Sequence, residues 1–387
     1  MPSHLSKTLL MDRRGCEYFE VSLLQIESEP DMPSGLAKEG TFALSIDPRN
    51  SPEILFHREL LELGKYPKGK QNLEKLPEYS RTLFEDLYAH MNDRFSAQNL
   101  DLHTRFGVDL HFDFIDSGSP NAIAFKAGNY AMVGMTRGML DHLVRFSGRV
   151  ATDQKFSLAL GIPAIPPASK DSSIVTLFGM AVQFFTSHEI GHHVHGHVDF
   201  GASSGLPHLY ELVNASETGN HIDLQAMELD ADAYAISSQV PHVLGAQFEE
   251  IARGLGIEKQ SMPEVAILNL LLCAIICFLH TLHQRRYTKE NVQSLRHPPR
   301  LPRLNYILGN IQRWCSLNRS ELSGWPSIEE FQKIAQMVTE CSRVPAEGMT
   351  WAEEDAFITS EGGQLYIRSL DQALPRVAEQ MLPFAWK

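Results

Sequence analysis

Residues 172–192 read SSIVTLFGMAVQFFTSHEIGH, and this stretch decides the fold. Ile174, Phe178, Val182 and Phe185 recur every three or four residues, which predicts a helix starting near Ser172 or Ser173. The same helix carries His188 and His192. Side chains four residues apart share one face, so both imidazoles can reach one metal ion. Glu189 is offset by one position, where its carboxylate can serve as general base to the water that a zinc ion activates. Gly191 is expected to keep the face next to the metal open, with Ile190 packed inward. The competing reading is a histidine-rich helix end, since five histidines fall between positions 188 and 197.

A catalytic zinc site usually has three protein ligands and an open position, so a third ligand should follow downstream. The metzincin pattern asks for Gly and His seven and ten residues after the first His. Those positions hold His195 and Val198, and His197 falls one short, so that pattern fails. Glu228 is the better candidate, 36 residues after His192 in Glu228-Leu229-Asp230-Ala231-Asp232-Ala233. Glu228 and Asp232 again share a helix face. Glu228 can bind the metal while Asp232 holds the far nitrogen of a ligand histidine, fixing its tautomer. Ala226, Ala231 and Ala233 would let this helix pack closely on the first. The plainer reading is an exposed acidic helix face. His193, His195 and His197 read more simply as a solvated helix end than as a further metal contact.

Around this pair the chain is mixed. Residues 1 to about 80 are rich in turn residues, with a short strand expected at Phe42–Ile46. Glu78 to Ser96 has helical spacing at Leu83, Leu87 and Met91. Asp109 to Asp116 alternates as a strand, with Leu110, Phe112 and Phe114 on one face. Asn121–Phe125, Gly128-Asn129 and Tyr130–Met135 signal a hairpin, after which Thr136 can cap a helix to about Phe146. Residues 199–220 are rich in Gly, Ser and Asn and predict a long loop. A helix is expected from Asp223 through Ile236, a proline-broken stretch from Arg296 to Arg303, and mostly helix after Leu304.

The 387 residues are 43% hydrophobic and 21% charged, ordinary for a globular protein. A net charge of -13 argues against nucleic acid as the main partner, because phosphate binding needs a basic face. Five cysteines (Cys16, Cys273, Cys277, Cys315 and Cys341) are too few and too uneven for a disulfide framework, and point to a reducing cytoplasm. Cys273 and Cys277 could share a metal, but their apolar surroundings favour core packing. Met1–Gly15 lacks the pattern of a signal peptide. Val265–Leu279 is apolar for 15 residues, shorter than the roughly 20 a bilayer span needs, so no stable membrane span is expected.

His188-Glu-Ile-Gly-His192 followed by Glu228-x-x-x-Asp232 resembles the HtpX-like and CAAX-prenyl-endopeptidase-like gluzincins. Asn121-Ala-Ile-Ala-Phe125 with Gly128–Leu140 looks like that family's edge hairpin and following helix. His297-Pro298-Pro299 with Arg300 or Arg303 looks like its downstream His-Pro-Pro…Arg segment. The resemblance covers roughly residues 110–303. It implies His188, His192 and Glu228 as zinc ligands and Glu189 as the base. It implies that an extended protein or peptide substrate pairs with the strand containing Asn121, Ala122 and Ala124. It also implies that His297 or an adjacent arginine such as Arg300 stabilises the oxyanion. The ring of His297 could equally orient Asp232 or Glu228, or merely sit in a loop. Many relatives have membrane spans around the site. Phage-exclusion peptidases of the Lit type also use His-Glu-x-x-His.

These readings together predict a predominantly helical α+β protein with a zincin-like metallopeptidase core and a small edge β-hairpin. The expected division is an irregular N-terminal extension (1–108), the peptidase domain (109–303) and a C-terminal helical region (304–387). The expected activity is zinc-dependent endopeptidase. The alternatives are a non-catalytic zinc-stabilised binding protein, a hydrolase acting on another amide and a Lit-type peptidase.

Overall fold

The structure is a computed structural model that describes residues 51–203, 221–281, 286–342 and 349–386. Cys16 and the strand expected at Phe42–Ile46 lie outside those residues. The fold is predominantly helical α+β with one small sheet, as the sequence predicts.

Two helices lead into the sheet, α1 (Pro52–Glu62) and α2 (Glu78–Phe106). Helix α2 runs well past the expected end at Ser96, to a left-handed Gly107 cap with φ +65. The reason lies in its partner strand. Asn92 and Asn99 each accept from the N–H and donate to the C=O of one residue, Phe112 and Leu110 respectively, at 2.8–3.1 Å. These amides stand in for a neighbouring strand along the edge.

The sheet comprises β1 (Asp109–Ile115), β2 (Ala122–Ala127) and β3 (Tyr130–Thr136), in the order β1-β3-β2. Strand β3 is parallel to β1 and antiparallel to β2. The β2–β3 turn is the expected Gly128-Asn129 pair, with Gly128 at φ +58. Strand alternation sends Leu110, Phe112, Phe114, Val133 and Met135 into the main helical core. Ile115, Ile123, Phe125 and Met132 face the other way, onto Phe56 and Leu60 of α1. Residues 51–108 thus contribute a cover for one sheet face and a clamp on its edge.

Thr136 caps α3 (Arg137–Ala151) by accepting from Met139 N at 3.2 Å; the helix continues beyond Phe146. A short α4 (Phe156–Ala159) precedes α5 (Lys170–Val194), the helix of the opening stretch. Leu177, Met180, Ala181, Val182, Phe184 and Phe185 are all buried, so α5 is enclosed by neighbours rather than laid on a surface. The loop expected at 199–220 begins as helix α6 (His197–Ser203); residues 204–220 lie outside the described part.

Next come α7 (Ile222–Leu244), α8 (Phe248–Leu255) and α9 (Pro263–Thr281). Helix α9 has 19 residues, so the length argument against a membrane span fails. Among the described residues it is the one helix long and apolar enough to cross a bilayer, and 78% of that window is buried inside the protein. Cys273 and Cys277 are fully buried in its core. Its Asn269 is fully buried and partnered, accepting from Trp325 Nε1 (2.7 Å) and donating to Leu160 O (3.3 Å).

The proline-rich stretch ends at Pro299, and α10 (Arg300–Asn318) follows. Pro302 is inside its first turn, where a missing N–H breaks no helical bond. Helices α11 (Ile328–Ser342), α12 (Trp351–Thr359) and α13 (Glu361–Met381) complete the fold. The expected boundary at residue 303 falls inside α10. Tyr366, Leu370 and Val377 of α13 share a core with Ala226, Met227 and Leu229 of α7.

Candidate active site

The last two turns of α5 and the second and third turns of α7 cross at a close approach. A Cβ on Gly191 would lie 3.1 Å from Ala231 Cα and 3.2 Å from its carbonyl. Gly191 is therefore required by helix packing against Ala231, not by an open face at the metal as the sequence suggested. Of the three alanines expected to pack closely, Ala226 and Ala231 are fully buried and Ala233 is partly exposed.

This crossing gathers His188, His192 and Glu228. The two histidine Nε2 atoms are 3.3 Å apart, and Glu228 oxygens lie 3.4 Å from His188 Nε2 and 3.5 Å from His192 Nε2. Ligand atoms bound about 2.1 Å from one tetrahedral ion stand about 3.4 Å from one another. The two distances to Glu228 run to different oxygens, Oε2 and Oε1, and the three side chains form a triangle that could hold a metal ion.

The supports behind the triangle are equally specific. Asp232 Oδ1 sits 2.9 Å from His188 Nδ1, on the far side of the ring. Arg303, fully buried, donates to both Asp232 oxygens at 2.8 and 2.7 Å. His297 Nδ1 is 2.9 Å from Glu228 Oε2. The segment bearing His297 is tied to α7 by Gln225, which donates to Val292 O and Leu295 O, while its own Oε1 accepts from Tyr366.

Burial disfavours charge throughout the site, and its ion pairs decide which groups keep it. Burial opposes a proton on His188, but Asp232 and Glu228 outweigh it and raise the pKa to about 10. Burial holds His192 well below the usual imidazole range. Glu189 is raised to about 7, chiefly by burial, with His188 opposing and Glu228 adding. Glu228 stays well below the carboxylate range despite burial, through His297 and His188.

One small cavity is lined by His188, Glu189, His192, Glu228, His297, Arg303, Asn121, Ala122, Phe185 and Phe278. Every expected site residue except Asp232, Ala124 and Arg300 borders it. Asp232 lies behind His188 with no exposed surface. Ala124 is fully buried inside β2. Arg300 is drawn away by the buried Glu354 (Nε–Oε1 2.8 Å) and lies over the Trp351 ring, so Arg303 is the arginine at the site. His193 and His197 are not solvated: His193 Nε2 donates to Met132 O at 3.0 Å, and His197 is fully buried.

The sequence reading missed the pairing of Asp230 with His195 and His197. Asp230 is two residues from Glu228, nearly opposite on an ideal helix, and His197 lies beyond the end of α5. Neither position carries a spacing signal.

Residues 140–314 match the family model described as Peptidase U49. The match covers less than half of the 387 residues but spans α3 to α10, and so includes both helices of the triangle, His297 and Arg303. It leaves out the sheet and α11–α13. No curated protein and no solved structure matches the chain. Over that span the chain is similar to peptidases, which supports a peptidase-like hydrolase acting on protein or peptide.

Proposed function

We propose that the chain is a zinc-dependent endopeptidase with a zincin-like core. The observation that carries this reading is the triangle of His188, His192 and Glu228, with edges of 3.3–3.5 Å, beside the buried Glu189. Zinc, when bound, would supply Lewis-acid polarisation of the scissile carbonyl and lower the pKa of the attacking water. Glu189 takes the proton of that water on its carboxylate and returns it to the leaving amine. Asp232 and Arg303 hold the ring of His188, and His297 holds the carboxylate of Glu228. An extended peptide aligns along β2 from Asn121 and Ala122, which border the cavity. Strand β2 has β3 on one side and, among the described residues, no strand on the other.

A purely structural zinc site needs no base, so Glu189 favours catalysis over a binding protein. The family match suits a Lit-type peptidase as well as the HtpX-like group. The four described cysteines are free thiols, consistent with a reducing compartment, which fractionation would test.

The test is metal analysis with proteome-wide cleavage profiling of wild type, Glu189→Gln and Glu228→Ala. Glu189→Gln should keep its zinc and lose cleavage by roughly a hundredfold or more. Glu228→Ala should lose zinc. Full zinc with no cleavage by wild type would overturn the enzymatic reading.

A further inference from the structure

Beyond α5 the chain turns at Gly196 (φ +80) and brings His197 back beneath His192. His197 Nδ1 is 2.9 Å from His192 Nδ1, and His197 Nε2 is 3.1 Å from Asp230 Oδ2. The same oxygen lies 2.5 Å from His195 Nδ1. His197 has no exposed surface, so both of its nitrogens must be satisfied by these partners.

We propose that His197 and Asp230 are positioning residues whose relay fixes the tautomer of His192. This rests on the reading of His192 as a metal ligand. An ionised carboxylate can only accept, so Asp230 places the proton of His197 on Nε2. The Nδ1 of His197 then holds a lone pair. Two ring nitrogens 2.9 Å apart share one proton, so His192 must donate from Nδ1. That leaves the lone pair of His192 on Nε2, the atom in the metal triangle. His188 is served directly by Asp232, whereas His192 is served at one remove, through a second imidazole.

The same geometry opposes the other use of this cluster. His195, His197 and Asp230 could themselves hold a metal. An ion on His197 Nε2 would send that proton to Nδ1, reverse the bond to His192 and protonate His192 Nε2. The two metal sites are therefore mutually exclusive.

The experiment combines zinc affinity, by chelator competition, with nitrogen NMR of the histidine rings in the zinc-free protein. His192 should carry its proton on Nδ1. His197→Leu should weaken zinc binding on the order of 10- to 100-fold. His197→Gln should restore most of it, since an amide can accept from His192 and donate to Asp230. Circular dichroism of both variants excludes simple unfolding. A proton on His192 Nε2, or equal zinc affinity in folded His197→Leu and wild type, would overturn the relay. So would two zinc ions per chain, one of them lost in Asp230→Ala. The NMR reading uses no metal, so a protein that binds no zinc would sink the proposed function and still leave the relay decided.

Discussion

Gly191 shows how one residue sets the geometry of a site it does not line. Its missing side chain lets α7 come within contact of α5, and Glu228 reaches the histidines from that distance. Gly191→Val should therefore weaken zinc binding at least tenfold while Glu189 and the ligands are unchanged, as chelator competition would show. His280 makes a second prediction. Burial, with Arg300 adding, holds its pKa near about 3. An unfolded imidazole titrates near about 6.5, so the unfolded chain binds a proton there that the folded chain refuses until far lower pH. Stability should fall as pH drops from about 6.5 to about 3, and this contribution should stay level above and below. His280→Gln should flatten that slope by roughly 1.4 kcal/mol per pH unit in denaturant titrations. At this scale the sequence disclosed residues that obey helical spacing, His188, His192, Glu228 and Asp232. It concealed His197 and Asp230, whose meeting depends on the turn at Gly196.

Among the elements, α5, α7 and α10 form a stack bound by one buried charge pair. Arg303 on α10 reaches Asp232 on α7, and Asp232 reaches His188 on α5. Removing one partner of a buried pair leaves an uncompensated charge, at a cost of roughly 3–5 kcal/mol. Arg303→Met should lower stability by that amount in urea unfolding, and Arg303→Met with Asp232→Asn should recover part of it. Helix α5 was legible because its apolar spacing records burial. The second half of α2 was not, since Leu100 is exposed and that segment is held to β1 by asparagine amides rather than by an apolar stripe.

Across the whole molecule, residues remote in sequence close around the end of α5, the helix that carries His188 and His192. Trp386 N donates to Val194 O at 2.8 Å, and its ring stacks on Phe106 and His193. A Cβ on Gly196 would strike Phe384 at 2.5 Å, so the turn and the tail fit without slack. Trp386→Ala should cost roughly 1–3 kcal/mol in thermal or urea unfolding. It should also loosen zinc, because the turn carrying His197 loses its outer wall. No periodic pattern announces such a contact, since it belongs to neither element alone. The order of synthesis gives it a further meaning. A chain still being translated carries His188, His192 and Glu228 well before Phe384 and Trp386 exist. The candidate site residues are thus made first, and the wall that Phe384 and Trp386 form behind Gly196 can close only after residue 386 has been made.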